Sequence, residues 1–278
     1  MTDGQSGTLF VVSTPIGNMG EFSFRAVEIL RQVDAILAED TRHTGQLLKR
    51  YEIDRRMIAY HEHNEAKSTP GLVERLRRGE SFALVTDAGT PILSDPGARL
   101  VAACIEAGVS VVPIPGASAL LAALVVSGLP ADRFTFFGFL PRTGRDRAAA
   151  MAELSSLSHT AVLYEAPNRV AATLADLAEV AGADRPVVVA REMTKQFEEI
   201  RRGTLAELSA YYENAPPRGE VVILLGAAAP RTVDDTTVRE RVKALRASGL
   251  SARDTATAVA RELGVSKRAA YQMTQEEK

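Results

Sequence analysis

The sequence predicts an α/β protein with two α/β domains and a small helical segment at its C-terminal end. Three observations support this fold class. Short apolar runs alternate with amphipathic stretches from residue 8 onward, the alternation breaks at 127–130 and resumes, and the sequence beyond residue 230 contains only helical patterns. Near-continuous apolar strands separated by helices are typical of a mostly parallel sheet that is covered on both faces.

The first α/β domain is expected over residues 8–127, after a polar, glycine-rich stretch at 1–7 that predicts a disordered tail. Within it, each apolar run is followed by a stretch in which apolar residues recur at helical spacing. Predicted strands lie near 9–13, 34–38, 57–60, 82–85 and 109–114, and predicted helices near 22–32, 44–51, 66–78, 97–107 and 117–126.

The second α/β domain is expected over residues 128–228, after the break at Ser127-Gly128-Leu129-Pro130. The runs at 186–190 and 197–201 lie too close together for a helical crossover, so they predict an antiparallel pair and a mixed sheet. Its predicted strands lie near 134–140, 160–163, 186–190, 197–201 and 221–225.

The last segment, 231–278, is predicted to be helical. Gly249 and Gly264 are expected to end its first two helices, and Ser266 to cap a third. The spacing resembles a helix-turn-helix with Lys267 and Arg268 at the start of its second helix. A structural cap and a nucleic-acid contact are equally compatible with this pattern.

Bulk properties restrict the function classes. The 278 residues carry a net charge of −2, so any nucleic-acid contact must come from local positive patches. A single cysteine, Cys104 in an apolar stretch, excludes a disulfide framework and is expected to be a buried small residue. No signal peptide is apparent, and the longest uncharged run is interrupted by Pro113, Pro115 and Gly116. These features predict a soluble cytoplasmic protein.

The stretch after the predicted strand at 82–85 is rich in Gly, Pro and short polar residues. In an open α/β sheet, ligands bind outside the carboxyl ends of strands, where such loops lie. Gly89 permits close approach of the backbone. There is no Walker motif and no G-x-G-x-x-G, so the loop suits a polar ligand that is not a polyphosphate. Taken alone, a tight strand-to-helix turn explains this loop equally well.

Four more predicted strands are followed by loops with small or polar residues. Because ligand sites favour domain interfaces, all five loops are expected to face one cleft. We call them the five strand-end loops; they are residues 14–20, 39–43, 86–97, 113–118 and 164–169.

Together these loops resemble the tetrapyrrole-methylase-like (class III) S-adenosylmethionine methyltransferases. Within that group the chain is similar to the ribosomal RNA small subunit methyltransferase I family over roughly residues 8–226. The motifs that carry the resemblance are PIGNMGE (15–21), AEDTRHT (38–44), YHEHNE (60–65), DAGTPILSDPG (87–97), PIPGASA (113–119), GFLPR (138–142) and YEAPNR (164–169).

The resemblance implies methylation of a cytidine ribose 2′-hydroxyl in the decoding region of 16S rRNA, with S-adenosylmethionine as the donor. It also implies a homodimer that acts on the small ribosomal subunit. The implied cofactor-binding residues are Asp87, Gly89, Thr90, Leu93, Gly116, Ala117, Ser118, Tyr164 and Glu220.

The acceptor hydroxyl is a weak acid, so a base should assist the transfer. Asp40, His43 and Glu165 are the first candidates, and His61 and Glu65 are further ones. Asp40 could instead pair with Arg42 or cap the next helix.

RNA contact is expected from polar and basic side chains near the same strand ends, because phosphate contacts position a nucleic acid. A solvated loop explains the arginines around Gly144 equally well. His61 and His63 have strand spacing that would put both on one face, but no third ligand fits a zinc site, and no metal is predicted. The candidates are Arg42, His61, Asn64, Arg142, Arg145, Arg147, Asn168 and Arg169.

Two other functions stay open at this point. The first is a class III methyltransferase that acts on a small molecule such as a tetrapyrrole. The second is a non-catalytic nucleic-acid-binding protein that uses the C-terminal helices.

Overall fold

The computed structural model describes residues 6–229 and 234–276, which divide into two compact units with the boundary at Ala228. The first unit contains two five-stranded sheets and the second is helical. The predicted α/β fold class is confirmed. The boundary between residues 127 and 128 stays a prediction. Among the described residues, no helix is long and apolar enough to cross a membrane.

The first sheet is entirely parallel, with strand order β3-β2-β4-β1-β5. Residues of β2 and β4 are all buried, which explains their unbroken apolar sequences. The strands are β1 (Thr8–Val12), β2 (Ala35–Ala38), β3 (Met57–Ala59), β4 (Phe82–Val85) and β5 (Ser110–Ile114).

Helices follow the strands of this sheet, and side chains at their N-termini determine where several begin. Ser23 accepts a hydrogen bond from the backbone of Ala26, and Asp40 accepts one from Arg42. A short 3₁₀ helix, Met19–Glu21, precedes them. The helices are α1 (Phe24–Gln32), α2 (Thr41–Arg50), α3 (Glu65–Arg77), α4 (Ala98–Glu106) and α5 (Ala119–Ser127).

The second sheet is mixed, with strand order β6-β7-β10-β8-β9, and its β8 and β9 form the predicted antiparallel pair. Its strands are β6 (Phe134–Phe139), β7 (Thr160–Glu165), β8 (Pro186–Arg191), β9 (Glu199–Thr204) and β10 (Val221–Leu225). The helices of this part of the chain are α6 (Gly144–Ser156), α7 (Val170–Ala181) and α8 (Leu205–Asn214). A short 3₁₀ helix, Pro167–Arg169, precedes α7.

Helix α5 joins the two sheets into one unit. It follows the last strand of the first sheet, yet Leu120, Ala123 and Leu124 pack with Val162 and Val222 of the second sheet. The helix is apolar on all sides, although only one face packs against the sheets, and Leu121 and Val125 on the opposite face are exposed. The other face of the second sheet packs against α6, α7 and α8.

The helical unit contains the three expected helices, which share a small core that includes Val238, Val259 and Met273. Gly264 adopts a left-handed conformation at the end of the second helix, and Ser266 accepts a hydrogen bond from the backbone of Ala269. The helices are α9 (Asp235–Ala247), α10 (Ala252–Leu263) and α11 (Lys267–Glu276); residues 231–233 and 277–278 of the predicted segment lie outside the described residues.

Several local expectations were wrong. Gly7 is not part of a disordered tail, because it is buried and its N–H donates to the carbonyl of Leu76 at 2.8 Å; residues 1–5 lie outside the described residues. His61 and His63 lie in a turn after β3, not in a strand.

Cys104 is buried, as expected, and burial raises the pKa of its thiol to about 11.

Candidate active site

A cavity of about 400 Å³ lies at the carboxyl edge of the first sheet and is closed on its other side by the second sheet. This volume is within the range of small-molecule sites. Each of the five strand-end loops contributes to its lining, through Ile16, Glu39, residues 86–90 and 93–95, Ser118 and residues 164–167. The predicted cofactor residues that line it are Asp87, Gly89, Thr90, Leu93, Ser118, Tyr164 and Glu220.

Short hydrogen bonds join three of these loops to one another. The backbones of Thr14 and Gly89 pair through two hydrogen bonds of 2.8 and 3.2 Å. The hydroxyls of Ser13 and Thr90 lie 2.9 Å apart, and Thr90 donates to the carbonyl of Ala117 at 3.2 Å. The loops after β1, β4 and β5 therefore form one connected floor, so little ordering remains for ligand binding.

The loop after β4 holds two residues in a strained conformation. Ile92 has φ +80° and Ser94 has φ +69°, and a positive φ at a β-branched residue is a genuine outlier. Such strain persists only where the surrounding structure imposes it, and it is concentrated at binding and catalytic sites. Ser94 itself lines the cavity.

Gly116 and Ala117 are not among the residues that line the cavity, but they hold its loops together. A Cβ at position 116 would lie 2.9 Å from the Cβ of Ser13, so the loops after β1 and β5 can approach this closely only with glycine there. The sequence placed this residue in the cofactor site; in the structure it lies outside the cavity lining, where two of the loops meet.

Two acidic residues of the cavity were missed as site residues by sequence reasoning. Glu39 lines the cavity and accepts a hydrogen bond of 2.8 Å from the Thr86 hydroxyl. Asp95 also lines it, and burial, with the nearby charges of Glu39 and Asp87, raises the pKa of its carboxyl to about 6. Both residues belong to the quoted motifs, but a motif does not show which of its carboxylates faces the ligand.

The raised pKa of Asp95 implies a pH-dependent cost in stability. Between about pH 3.8 and 6 the folded state holds a proton that the unfolded state has lost, so stability falls as pH rises through this interval. We expect Asp95→Asn to raise the free energy of unfolding above pH 6 by about 1–2 kcal/mol, after allowing for partial exposure. Urea unfolding at pH 4 and pH 7.5 measures this. An equal effect at both pH values would contradict it.

Asp40 and His43, two of the predicted catalytic residues, do not lie at the cavity. Asp40 caps α2, and its carboxylate lies 2.6 Å from the guanidinium of Arg42, which holds the pKa of that carboxyl well below its usual range. His43 is exposed on the first turn of α2, because the helix begins at Thr41 and not near residue 44. Neither side chain lines the cavity.

Glu165 does line the cavity, and its side chain is buried. Its carboxylate accepts hydrogen bonds from the Thr173 hydroxyl at 2.6 Å and from the Ala166 N–H at 2.9 Å. The Arg169 guanidinium lies 3.4 Å away. The three contacts hold the 164–169 loop against α7.

Among the predicted RNA-binding residues, three have structural partners. Arg147 is half-buried against α7 and pairs with Asp176 at 2.6 Å. Arg169 bonds Glu165 and the carbonyl of Leu140, and Asn64 bonds the carbonyl of Ala59 and the N–H of His61. Arg147 was expected in a loop that contacts RNA, with a solvated loop as the alternative, whereas it lies on α6, which begins at Gly144.

The other RNA candidates differ in what they offer a ligand. Arg142, Arg145 and Asn168 are exposed. Arg42 is exposed but is paired with Asp40. The Nδ1 atom of His61 is buried, with no hydrogen-bond partner in the described part of the chain.

Glu220, from the loop before β10, is held by Lys195 at 3.1 Å, and the same ammonium lies 3.0 Å from Glu192. The stem of Lys195 passes so close to Gly17 that a Cβ there would lie 2.3 Å from it. This lysine was not singled out from the sequence. It connects the loop after β1 to the second sheet beside the cavity.

Comparison with known proteins assigns the chain to a family. Residues 8–209 match the Tetrapyrrole (Corrin/Porphyrin) Methylases. The chain is 45% identical to "Ribosomal RNA small subunit methyltransferase I" of Synechocystis sp., over 97% of this chain and 98% of that protein. It is 47% identical to the protein of the same name from Xylella fastidiosa, over 95% and 98%.

The chain belongs to the ribosomal RNA small subunit methyltransferase I family. The resemblance carried by the seven motifs is confirmed, and the chain is a methyltransferase. Its fold is similar to that of uroporphyrin-III C-methyltransferase from Thermus thermophilus in complex with S-adenosylhomocysteine, with a TM-score of 0.57 and 18% identity over 79% of this chain and 97% of that one.

The residues that align with the family include those that line the cavity. The matched region, 8–209, includes four of its five carboxylates, and the relatives from Synechocystis and Xylella also align over nearly all of the remainder, where Glu220 lies. Within the described residues, no group of three or more His, Cys, Asp or Glu side chains is arranged to hold a metal ion.

Proposed function

We propose that this chain transfers the methyl group of S-adenosylmethionine to the 2′-hydroxyl of a cytidine ribose in the decoding region of small-subunit (16S) rRNA. The observation that carries the proposal is the cavity formed jointly by the five strand-end loops, whose motifs are those of the family. The relatives from Synechocystis and Xylella are ribosomal RNA methyltransferases by name, which supports rRNA as the substrate class.

The residues present fit S-adenosylmethionine. The Ser118 hydroxyl is buried in the cavity lining and has no hydrogen-bond partner within the described residues, so it is available to a polar ligand. The Tyr164 ring packs edge-on against Phe136 and Phe139 and forms an apolar wall. We propose that the loop at 87–93 and Ser118 hold the donor, with Tyr164 and Glu220 contributing from the second sheet.

When bound, S-adenosylmethionine supplies an electrophilic methyl group on a cationic sulfur. The connected floor of loops would hold the donor so that the acceptor oxygen aligns with the carbon–sulfur bond, and such alignment can contribute about 7–11 kcal/mol. We propose that the proton of the hydroxyl passes to a carboxylate that lines the cavity. Among Asp40, His43 and Glu165, only Glu165 is a lining residue, and its carboxylate is already engaged by Thr173 and Arg169.

Phosphates of the RNA would bind outside the cavity, because its lining is acidic. Arg142 and Arg145 lie after β6 and on the first turn of α6, are exposed, and have no ion-pair partner among the described residues. We propose that they position the RNA, with Arg42, His61 and Asn168 nearer the strand ends.

We expect the double substitution Arg142→Ala and Arg145→Ala to weaken RNA binding about tenfold at low salt and to flatten its salt dependence, because two phosphate contacts are lost. Cofactor affinity should be unchanged. Filter binding at several salt concentrations measures the effect, and Arg133→Ala, which also changes an exposed arginine, is the control. Unaltered binding by the double variant would place the RNA elsewhere.

Mass-spectrometric mapping of ribose methylation on small-subunit rRNA, from cells with and without this chain, tests the function. Loss of one 2′-O-methylcytidine that returns with the wild-type chain is expected. Unchanged rRNA, with methyl transfer to a tetrapyrrole by the purified chain, would support the small-molecule alternative. RNA binding without any transfer would support the non-catalytic one.

We also propose that the protein works in the cytoplasm as a homodimer on the small ribosomal subunit. Two-fold pairs are the commonest homo-oligomers, and α5 exposes Leu121 and Val125. Light scattering at micromolar concentration tests the dimer.

A further inference from the structure

The cavity is strongly acidic. Its lining includes five carboxylates, while no lysine, arginine or histidine of the described chain is among the lining residues. This asymmetry is local, since the whole sequence carries a net charge of only −2. The carboxylates are Glu39, Asp87, Asp95, Glu165 and Glu220.

Two of these carboxylates are neutralised by neighbours outside the lining. Glu165 is paired with Arg169 at 3.4 Å, and Glu220 with Lys195 at 3.1 Å. Both pairs belong to the second sheet and its loops.

The other three carboxylates lie together on the first sheet's side and have no ion-pair partner among the described residues. Glu39 is bonded by the Thr86 hydroxyl, and Asp87 by the Asp40 N–H at 3.2 Å. The nearby Arg42 guanidinium is engaged by Asp40 at 2.6 Å. We call Glu39, Asp87 and Asp95 the acidic wall. Three carboxylates in a partly desolvated cavity favour a cationic ligand, because Coulombic attraction is stronger there than in water.

A second feature of the cavity is a buried polar group that no group of the described chain satisfies. The Ser118 hydroxyl oxygen, at the start of α5, is inaccessible to solvent and has no hydrogen-bond partner in the described residues. It lines the same cavity as the acidic wall. Buried hydroxyls are normally hydrogen-bonded, so Ser118 is available to a polar group of the ligand.

We propose that the acidic wall selects the cationic donor over its neutral product, so that S-adenosylhomocysteine leaves the cavity after each transfer. The inference rests on the proposed function, since it takes S-adenosylmethionine as the donor. In the transfer the carbon–sulfur bond breaks and both its electrons stay on sulfur, which loses its positive charge. The acceptor oxygen bonds the methyl carbon and releases its proton. The wall attracts the charge that the reaction removes.

Calorimetric titration of three ligands tests the wall. S-adenosylmethionine and sinefungin, in which an amine replaces the sulfonium, are cationic at the reacting position, and S-adenosylhomocysteine is neutral there. We expect Asp95→Asn to weaken both cationic ligands about tenfold, while the neutral product changes less than twofold. Asp87→Asn should act in the same direction. Glu28→Gln, which removes an exposed carboxylate on α1, is the matched control.

The neutral product reports whether a variant still folds and binds, so each outcome is decisive. Equal loss of all three ligands, or an unchanged ratio of donor to product affinity, would overturn the role of the wall. Failure of the wild-type chain to bind either donor or product would overturn the proposed function as well.

The ratio of donor affinity to product affinity should also depend on pH. Donor affinity relative to product affinity should rise between pH 5 and 7, because the pKa of Asp95 lies at about 6 and its ionised form attracts the cation. The groups that face Asp95 are Glu39 after β2, Asp87 after β4 and Tyr164 on β7, and burial raises the pKa of that tyrosine further above neutral. Asp95→Asn should remove most of this dependence. A pH dependence that persists in the variant would assign it to another group.

Discussion

Replacing Arg185 by leucine is expected to lower the free energy of unfolding by about 3–5 kcal/mol, a large fraction of the stability of a typical domain. Arg185 is buried immediately before β8. Its guanidinium donates to the carbonyls of Gly226 and Leu154 at 2.8 Å, Ser155 at 3.0 Å and Leu157 at 3.1 Å. The leucine would leave all four carbonyls without this donor.

The same contacts explain why a cation is tolerated there. Three of the four carbonyls belong to the end of α6 and the residue after it, where the helix dipole is negative. Burial lowers the pKa of the guanidinium, but arginine stays charged.

Urea unfolding of matched variants measures the effect. Arg185→Lys should lose about half as much stability, since one ammonium cannot donate to all four carbonyls in a fixed fork. Arg145→Leu is the control, because it removes an exposed arginine from α6, which packs on the same sheet. Its free energy of unfolding should stay within about 0.5 kcal/mol of the wild-type value. A loss below about 1 kcal/mol for Arg185→Leu would show that water replaces the guanidinium.

Arg185 also shows what a sequence pattern does not contain. Its partners lie 28 to 41 residues away, and nothing local distinguishes it from an exposed arginine before a strand. The strands of both sheets and the helices of the first sheet were predictable because their periodicity is local: β2 and β4 are unbroken apolar runs, as expected of strands buried on both faces.

Arg147 is a different case, because a signal existed. Once α6 is known to begin at Gly144, Arg147 lies four residues before Met151 and seven before Leu154, both buried. Helical spacing therefore puts it on the buried face, where it pairs with Asp176. Because no helix was predicted at 144–156, a structural arginine was assigned to a loop and became an RNA candidate.

The site itself was predictable to the level of loops. Carboxyl ends of parallel strands meet at one edge, so the four loops after β1, β2, β4 and β5 had to converge. The fifth loop, 164–169, follows β7 of the second sheet, and its place at the cavity depends on how the two sheets pack. Which side chain of each loop faces the cavity depends on where the following helix begins. Because α2 begins at Thr41, Asp40 is used as its cap and the preceding Glu39 lines the cavity.

The most severe effect on ligand binding is expected at a residue that does not line the cavity. Gly116→Arg should abolish S-adenosylmethionine binding, and Gly116→Ala should weaken it about tenfold or more. Even a methyl group would lie 2.9 Å from the Ser13 Cβ and 3.2 Å from its carbonyl oxygen, so the loops after β1 and β5 must separate. Overpacking of this kind costs about 1–3 kcal/mol.

The separation would be transmitted to the ligand through Thr90. Its hydroxyl lies 2.9 Å from that of Ser13 and donates to the carbonyl of Ala117 at 3.2 Å, so Thr90 holds both loops while lining the cavity itself. Calorimetric titration of S-adenosylmethionine into protein that has been treated with a metal chelator measures the loss of binding. Gly71→Arg is the control, because Gly71 is exposed on α3 with no atom within 4 Å of an added Cβ, and it should bind the donor normally. If Gly116→Arg bound the donor within threefold of the wild type, the floor formed by the three loops would not be what holds the ligand.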